Sequence, residues 1–379
     1  MARLSGKNLE RPDLMDYKRQ QTLKWPAAGA FALALTLIAY FVASLFNNGS
    51  NSPLASVIKL NMVSNRDVQI SGSYIYYLES GSLHCVDTNG KYVWNQGVDA
   101  NSQFYATDYG ITVWSGKKFA IYENDTGVST ASTTMPGQIL SACVGDLYAA
   151  VVLEPEHDST VILTDHYGNT VDTLTDFAGL TVMDFGFFAG RDLFWIMTLD
   201  SSGSTPACTI STYKPGKRNT GTIVDMEQVI YQVMFRSSQI IAVGTNYLRL
   251  FDYHGDEIKD ERQTVYGWYL HDVDKSSDNP LMLFVPNQQA EGQIQISDVR
   301  MIRGHSDKIV HLPIKCNSVE AKGTTMYGFS TEHIVVYPFD SIQANAYKLP
   351  MAVNNVIGIT DDKTAVVTSG GSIYLIKLP

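Results

Sequence analysis

Beyond residue 54 the chain repeats itself, and the repeat limits its possible folds more than any other feature. One set of polar turns recurs as SGS 71–73, DYG 108–110, GD 145–146, AGRD 189–192, RSSQ 236–239, SSDN 276–279, KGT 322–324 and DDK 361–363. Their mean step is about 41 residues, the period of a four-stranded propeller blade. A second set, built on Gly90, Gly127, Gly168, Gly216, Gly255 and Gly304, keeps the same beat. Here Asn-Gly, Thr-Gly and His-Gly supply the positive-φ residue that a tight hairpin requires. The runs between, such as YIYYLE, SLHCVD, TVILTD and YLRLFD, are rich in β-branched and aromatic residues and lack helical periodicity. Each unit therefore reads as strand A, turn, strand B, loop, strand C, hairpin, strand D. The first is DVQIS, YIYYLE, SLHCVD and KYVWNQ, and the fifth is YQVMFR, QIIAVGT, YLRLFD and EIKDERQ.

Seven units are complete, and the eighth ends at Pro379 after NVIGITD, TAVVTS and SIYLIKL. Residues 55–60, ASVIKL, resemble the D strands KIVHLP and NAYKLP and precede the first A strand. An open edge invites aggregation, so this segment is expected to supply the missing strand and join the two ends of the ring. The expected fold is all-β, an eight-bladed β-propeller over 54–379 closed by its N-terminal strand, with seven blades as the alternative. Closure also sets direction. A–B turns and C–D hairpins share one face, B–C and D–A loops share the other, and the closing strand enters from the tight-turn face.

Residues 26–46, PAAGAFALALTLIAYFVASLF, form a 21-residue run without charge. As a helix it spans about 30 Å, the thickness of a bilayer's hydrocarbon core. The six basic groups before it (Arg3, Lys7, Arg11, Lys18, Arg19, Lys24) outnumber three acidic ones, and no charge follows it until Lys59. That asymmetry predicts a cytoplasmic amino terminus. A cleaved signal peptide is the alternative, but its apolar region is normally shorter and ends in a small-residue cleavage site. The expected organisation is a cytoplasmic basic tail over 1–25, a transmembrane helix over 26–46, a linker over 47–53 and an extracytoplasmic propeller over 54–379. The linker brings the tight-turn face toward the membrane and turns the B–C loops away from it.

The net charge of −10 is concentrated in the exported part, because the tail is positive. Such a domain is repelled by phosphate backbones, which argues against nucleic acid as a partner. The four cysteines, 85, 143, 208 and 316, show no metal-ligand spacing and sit inside apolar strand patterns, so they read as small core residues.

There is no G-x-S-x-G elbow, no phosphate loop and no G-x-G-x-x-G after a strand. Acidic groups crowd EPEHDS 154–159 and HDVDKSSD 271–278, yet neither follows a calcium-loop pattern. No catalytic, cofactor-binding or metal-ligating residue is expected. The B–C loops of units three, four and six are longer than the rest, and long loops on a rigid scaffold are the usual place for recognition. They define a candidate ligand rim of Glu154, Glu156, His157, Asp158, Asp200, Gln288, Gln289 and Glu291.

At VDTNGKYVW, residues 86–94, the chain resembles the repeat of the quinoprotein-like (PQQ-like) β-propeller superfamily. In that repeat a turn Asp and Gly precede a Trp that docks on the neighbouring blade, and Asp87, Gly90 and Trp94 match. Ala131, Asp172 and Lys259 stand where the Trp would fall in other units. The layout as a whole is similar to single-pass, membrane-anchored propeller proteins of clostridia-like Gram-positive bacteria. The resemblance implies a bacterial cell-membrane location. The expected function is a non-catalytic platform or scaffold for protein or cell-envelope ligands, held to the lipid bilayer through 26–46. The alternatives are a quinoprotein-like oxidoreductase and a cell-wall carbohydrate-binding or lyase module.

Overall fold

The computed structural model describes residues 54–379 except 55, 63–66, 155–158, 178, 189–191, 218, 236–238, 253 and 291–294. The transmembrane expectation for 26–46 lies outside the described residues, among which no helix is long and apolar enough to cross a membrane.

The described strands assemble into eight four-stranded antiparallel sheets, each ordered A-B-C-D. Seven are built from consecutive strands, from Val68–Gly97 in blade 1 to Ser318–Lys348 in blade 7. The eighth takes Asn355–Ile359, Thr364–Ser369 and Ser372–Lys377 from the carboxyl end and Val57–Lys59 from the amino end. Val57, Ile58 and Lys59 lie opposite Ile376, Leu375 and Tyr374, and the Leu60 N–H donates to the Ile373 carbonyl at 2.9 Å. The ring closes as the repeat predicts, with eight blades and not seven.

The physical reason the B strands read as unbroken apolar runs lies between the blades. Every seam is filled by its own hydrophobic cluster, and successive residues of one strand serve opposite seams. In blade 3, Ala149 and Val151 pack toward blade 2, whereas Ala150 and Val152 pack toward blade 4. At the seam between blades 8 and 1, Leu60 and Met62 join Ile75, Tyr77, Ile373 and Leu375. Burial of Leu60 alone contributes about 2 kcal/mol. The four cysteines are free and buried, and burial pushes the Cys85 and Cys316 thiols up to about 12.

One sequence expectation needs correction. The segment EIKDERQ of the fifth unit is not a full D strand. Only Gln263–Thr264 form a strand beside the C strand, Glu257 adds an isolated bridge to Phe251, and Lys259–Glu261 form a single 3-10 turn. An ion-pair network takes the place of the ladder. The buried Arg249 reaches Asp225 at 3.0 Å and also Glu227, while Arg262 grips Glu257 through two hydrogen bonds of 2.7 Å. Both guanidinium groups lie over the Tyr247 ring.

Candidate functional site

Only part of the predicted rim lies among the described residues. Glu154, Asp200 and Gln288 are on the B–C face, but they belong to blades 3, 4 and 6. The Asp200 carboxylate accepts from the backbone N–H and hydroxyl of Ser202 at 2.9 and 2.6 Å, bonds that hold it below the usual carboxylate range. Gln288 and Gln289 lie in a single helical turn, Asn287–Ala290. Glu156, His157, Asp158 and Glu291 lie outside the described residues.

All eight inner strands converge instead on the axis, around a cavity of about 750 Å³. Each inner strand has an outer neighbour only, so its free edge must be satisfied from the next blade. Side chains do this repeatedly. Gln69 donates to the Phe104 carbonyl at 2.8 Å and accepts from the Ala106 N–H at 2.9 Å. The Ser71 hydroxyl donates to Asp108, and the Thr107 hydroxyl to the Val144 carbonyl, each at 2.8 Å. Asp272 accepts from the Ala321 N–H at 2.7 Å, and Asp274 from the Gly323 N–H at 2.5 Å. Asp272 and Asp274 of HDVDKSSD are therefore blade-to-blade latches. Among the described residues no group of three His, Cys, Asp or Glu side chains is placed to hold a metal ion.

The lumen is acidic. Asp108, Asp184, Asp272, Asp274, Glu320 and Asp361 line it, with Lys275 and Lys322 as counter-charges. Burial raises Asp184, with Lys275 opposing. Glu320 and Asp272, on adjacent blades, sit close enough to hydrogen-bond through their carboxyl groups. Burial, and then the Asp272 charge, push Glu320 well above the usual carboxylate range. Asp272 is raised too, by burial, against the Ala321 N–H that favours its charged form. The pair holds a proton that a solvated carboxyl would have lost.

Sequence reasoning missed a feature on the loop face. In blades 3, 4, 5, 6 and 8 the A–B ladder slips by one residue, and the extra residue on the innermost strand is Leu140, Met183, Tyr231, His271 or Ile357. Blades 1, 2 and 7 pair without a slip. A bulge re-aims a side chain, and bulges concentrate beside functional sites. Leu140 and Met183 are left exposed by 51% and 42%, and Tyr231 stacks on Tyr269 of the next blade with ring centroids 5.1 Å apart. The D–A loops add the exposed Met226 and Tyr266 on the same face. Leu140, Met183, Met226, Tyr266 and Tyr269 thus give the loop face exposed apolar side chains, while Tyr231 and Ile357 pack into the seams between blades. No local sequence signal marks such bulges, because Leu, Met and Tyr continue the strand pattern unbroken.

In three blades the residue four positions after the hairpin glycine bonds the next blade's hairpin, each with a different chemistry. Trp94 Nε1 donates to the Asn124 carbonyl in the C–D hairpin of blade 2 at 2.8 Å. Asp172, four residues after Gly168, accepts from the Gly216 N–H in the hairpin of blade 4 at 3.0 Å. Lys308, four residues after Gly304, donates to the Phe339 carbonyl in the hairpin of blade 7 and lies over the Tyr337 and Phe339 rings. The spacing after the glycine would have located these residues without any tryptophan.

No family model matches the chain, and no curated protein matches it in sequence. Among solved structures it is similar to BamB from Moraxella catarrhalis, with 12% identity, a TM-score of 0.53, and 86% of this chain and 99% of that one covered. It is also similar to Sqt1 from Saccharomyces cerevisiae, with 8% identity, a TM-score of 0.54, and coverage of 85% and 100%. Apo AztD from Citrobacter koseri matches at 12% identity with a TM-score of 0.51, over 80% of this chain and 90% of that one. At these identities the likeness shows the β-propeller fold alone.

Proposed function

We propose that this is a single-pass protein of the bacterial cell membrane whose propeller is a non-catalytic platform for a protein or cell-envelope ligand. In this reading residues 1–25 are cytoplasmic, 26–46 span the bilayer, 47–53 are a linker and 54–379 stand outside. The uncharged run and the basic flank support the anchor. One observation carries the platform: Leu140 and Met183, the bulged residues of blades 3 and 4, stand exposed on the loop face together with Met226, Tyr266 and Tyr269. Interfaces are commonly an apolar centre with a polar rim. Leu140, Met183, Met226, Tyr266 and Tyr269 supply the centre, and Glu154, Asp200, Gln288 and Gln289 stand on the surrounding face. The likeness to BamB and Sqt1 supports a propeller scaffold and says nothing of this chain's own partner.

The test is photo-crosslinking in cells from Tyr266 and Met226, compared with the same probe at Gln288. A discrete adduct from Tyr266 and Met226 is expected, and it disappears when Leu140 and Met183 are both changed to Asp. Both side chains are exposed, so stability should change by no more than about 0.5 kcal/mol per site. An adduct that survives this double substitution, or one formed only from Gln288, contradicts these apolar side chains as the docking site.

A further inference from the structure

The tight-turn face carries its own exposed apolar side chains, and they flank the place where the chain joins the ring. Leu54 and Ser56 precede the closing strand at the end of blade 8 from which that strand sets out, on the face of the A–B turns and C–D hairpins. On the same face, blade 2 presents Tyr109 and Val128, blade 3 presents Leu147 and Tyr167, and blade 7 presents Ile342. Their exposures run from 40% at Tyr109 to 77% at Tyr167 and 92% at Ile342. All five sit in turns or hairpin tips, where no strand pairing demands an apolar residue. Blades 2 and 3 lie to one side of the joining point and blade 7 to the other, so the tips straddle the tether.

We propose that these tips form a lipid-contacting surface that seats the propeller on the headgroup layer of a zwitterionic bilayer. The inference rests on the membrane-anchored reading. In that reading the eight residues from 47 to 54, at most roughly 25–30 Å long when fully extended, join the end of the apolar run to the edge of this face. Tyr, with an apolar ring and a polar tip, is a residue of the membrane–water interface. Interfacial binding grows with the apolar area inserted and with electrostatic attraction to the headgroups. Charge decides which headgroups. Asp108, Asp125, Asp146 and Asp165 stand in the same turns of blades 2 and 3. They repel an anionic surface and complement the ammonium groups of a zwitterionic one.

The chemistry of the chain makes the test clean, because its native cysteines are buried and their thiols are raised by burial. Full-length Tyr167→Cys, Ile342→Cys and Tyr266→Cys variants, each carrying a polarity-sensitive fluorophore, are reconstituted in phosphatidylcholine vesicles. Flotation after a carbonate wash reads the anchor independently. The expected result is flotation of all three, with the labels at 167 and 342 several-fold less accessible to aqueous iodide than the label at 266 and quenched by lipid-borne nitroxide. Replacing part of the phosphatidylcholine by phosphatidylglycerol should restore iodide access at 167. A Leu147→Ser, Val128→Ser pair added to Tyr167→Cys should do the same without releasing the chain from the vesicle. Flotation with equal iodide access at all three sites overturns the lipid surface and leaves the anchor standing. Failure to float overturns both. Lipid quenching confined to residue 266 overturns the facing.

Discussion

At the residue scale, four seams are organised by a hairpin glycine, Gly90, Gly127, Gly168 or Gly255, under the outer strand of the preceding blade. Gly127 has φ +66°, and a β-carbon there would lie 2.5 Å from Trp94 Cδ2. Gly90 meets the closing strand in the same way, with Ile58 Cγ2 2.9 Å from where its β-carbon would be. Gly127→Val should therefore destabilise the propeller by about 3 kcal/mol, combining a left-handed backbone with overpacking. Trp94→Phe should cost about 1 kcal/mol, because it keeps the ring but loses the bond to the Asn124 carbonyl. Urea denaturation reads both, and a smaller loss for Gly127→Val than for Trp94→Phe would contradict the close approach. These glycines were legible in the sequence as hairpin markers, and Trp94 as a docking residue. The same spacing reaches Asp172 and Lys308, but their docking role was not legible, because a carboxylate and an ammonium reach the neighbouring hairpin by different bonds from an indole.

At the element scale, strands buried on both faces announced themselves, and so did the segment that completes the last blade. YAAVVL is apolar throughout, and QIIAVG is apolar after Gln239, because each serves two seams. The fifth D strand is shorter than expected because EIKDERQ fits an outer strand by position, while its charges are complementary to a buried arginine on the neighbouring C strand. Arg249 is 5% exposed and its partner Asp225 only 1%. Arg249→Ala leaves that carboxylate buried and unpaired, a loss of about 3–5 kcal/mol. Arg249→Met together with Asp225→Leu should recover much of it. Equal losses for the single and double variants, measured by denaturation, would mean that packing rather than charge holds this blade together. The inner-strand bulges were illegible because a ladder slip of one residue changes register and not composition.

At the scale of the whole molecule, the acidic lumen makes ring stability depend on pH in a definable direction. Glu320 is raised by burial and by Asp272, so it binds its proton more tightly folded than unfolded. Its stabilisation is fully present below the ordinary glutamate range and is lost as pH rises through the raised folded value. Asp362 runs the other way. Burial would raise it, but hydrogen bonds led by Lys377, then Thr360 and Thr88, hold it far below the usual range, so its contribution disappears only in strong acid. The loss of stability between pH 5 and pH 8 should therefore be smaller in Glu320→Gln than in the unaltered protein, and equal losses would contradict the shared proton. The blade count, the faces of the ring and the proposed seating on lipid all follow from one closure, made by a strand that lies more than three hundred residues from its partner in sequence. Lys59 and Tyr374 lie directly opposite each other in that closure. A Lys59→Cys, Tyr374→Cys variant, mildly oxidised and run on a non-reducing gel, tests it most directly. The account predicts rapid formation of an internal disulfide that shifts mobility and slows unfolding. Two thiols that remain reduced in the folded protein, or that link only between molecules, would contradict it.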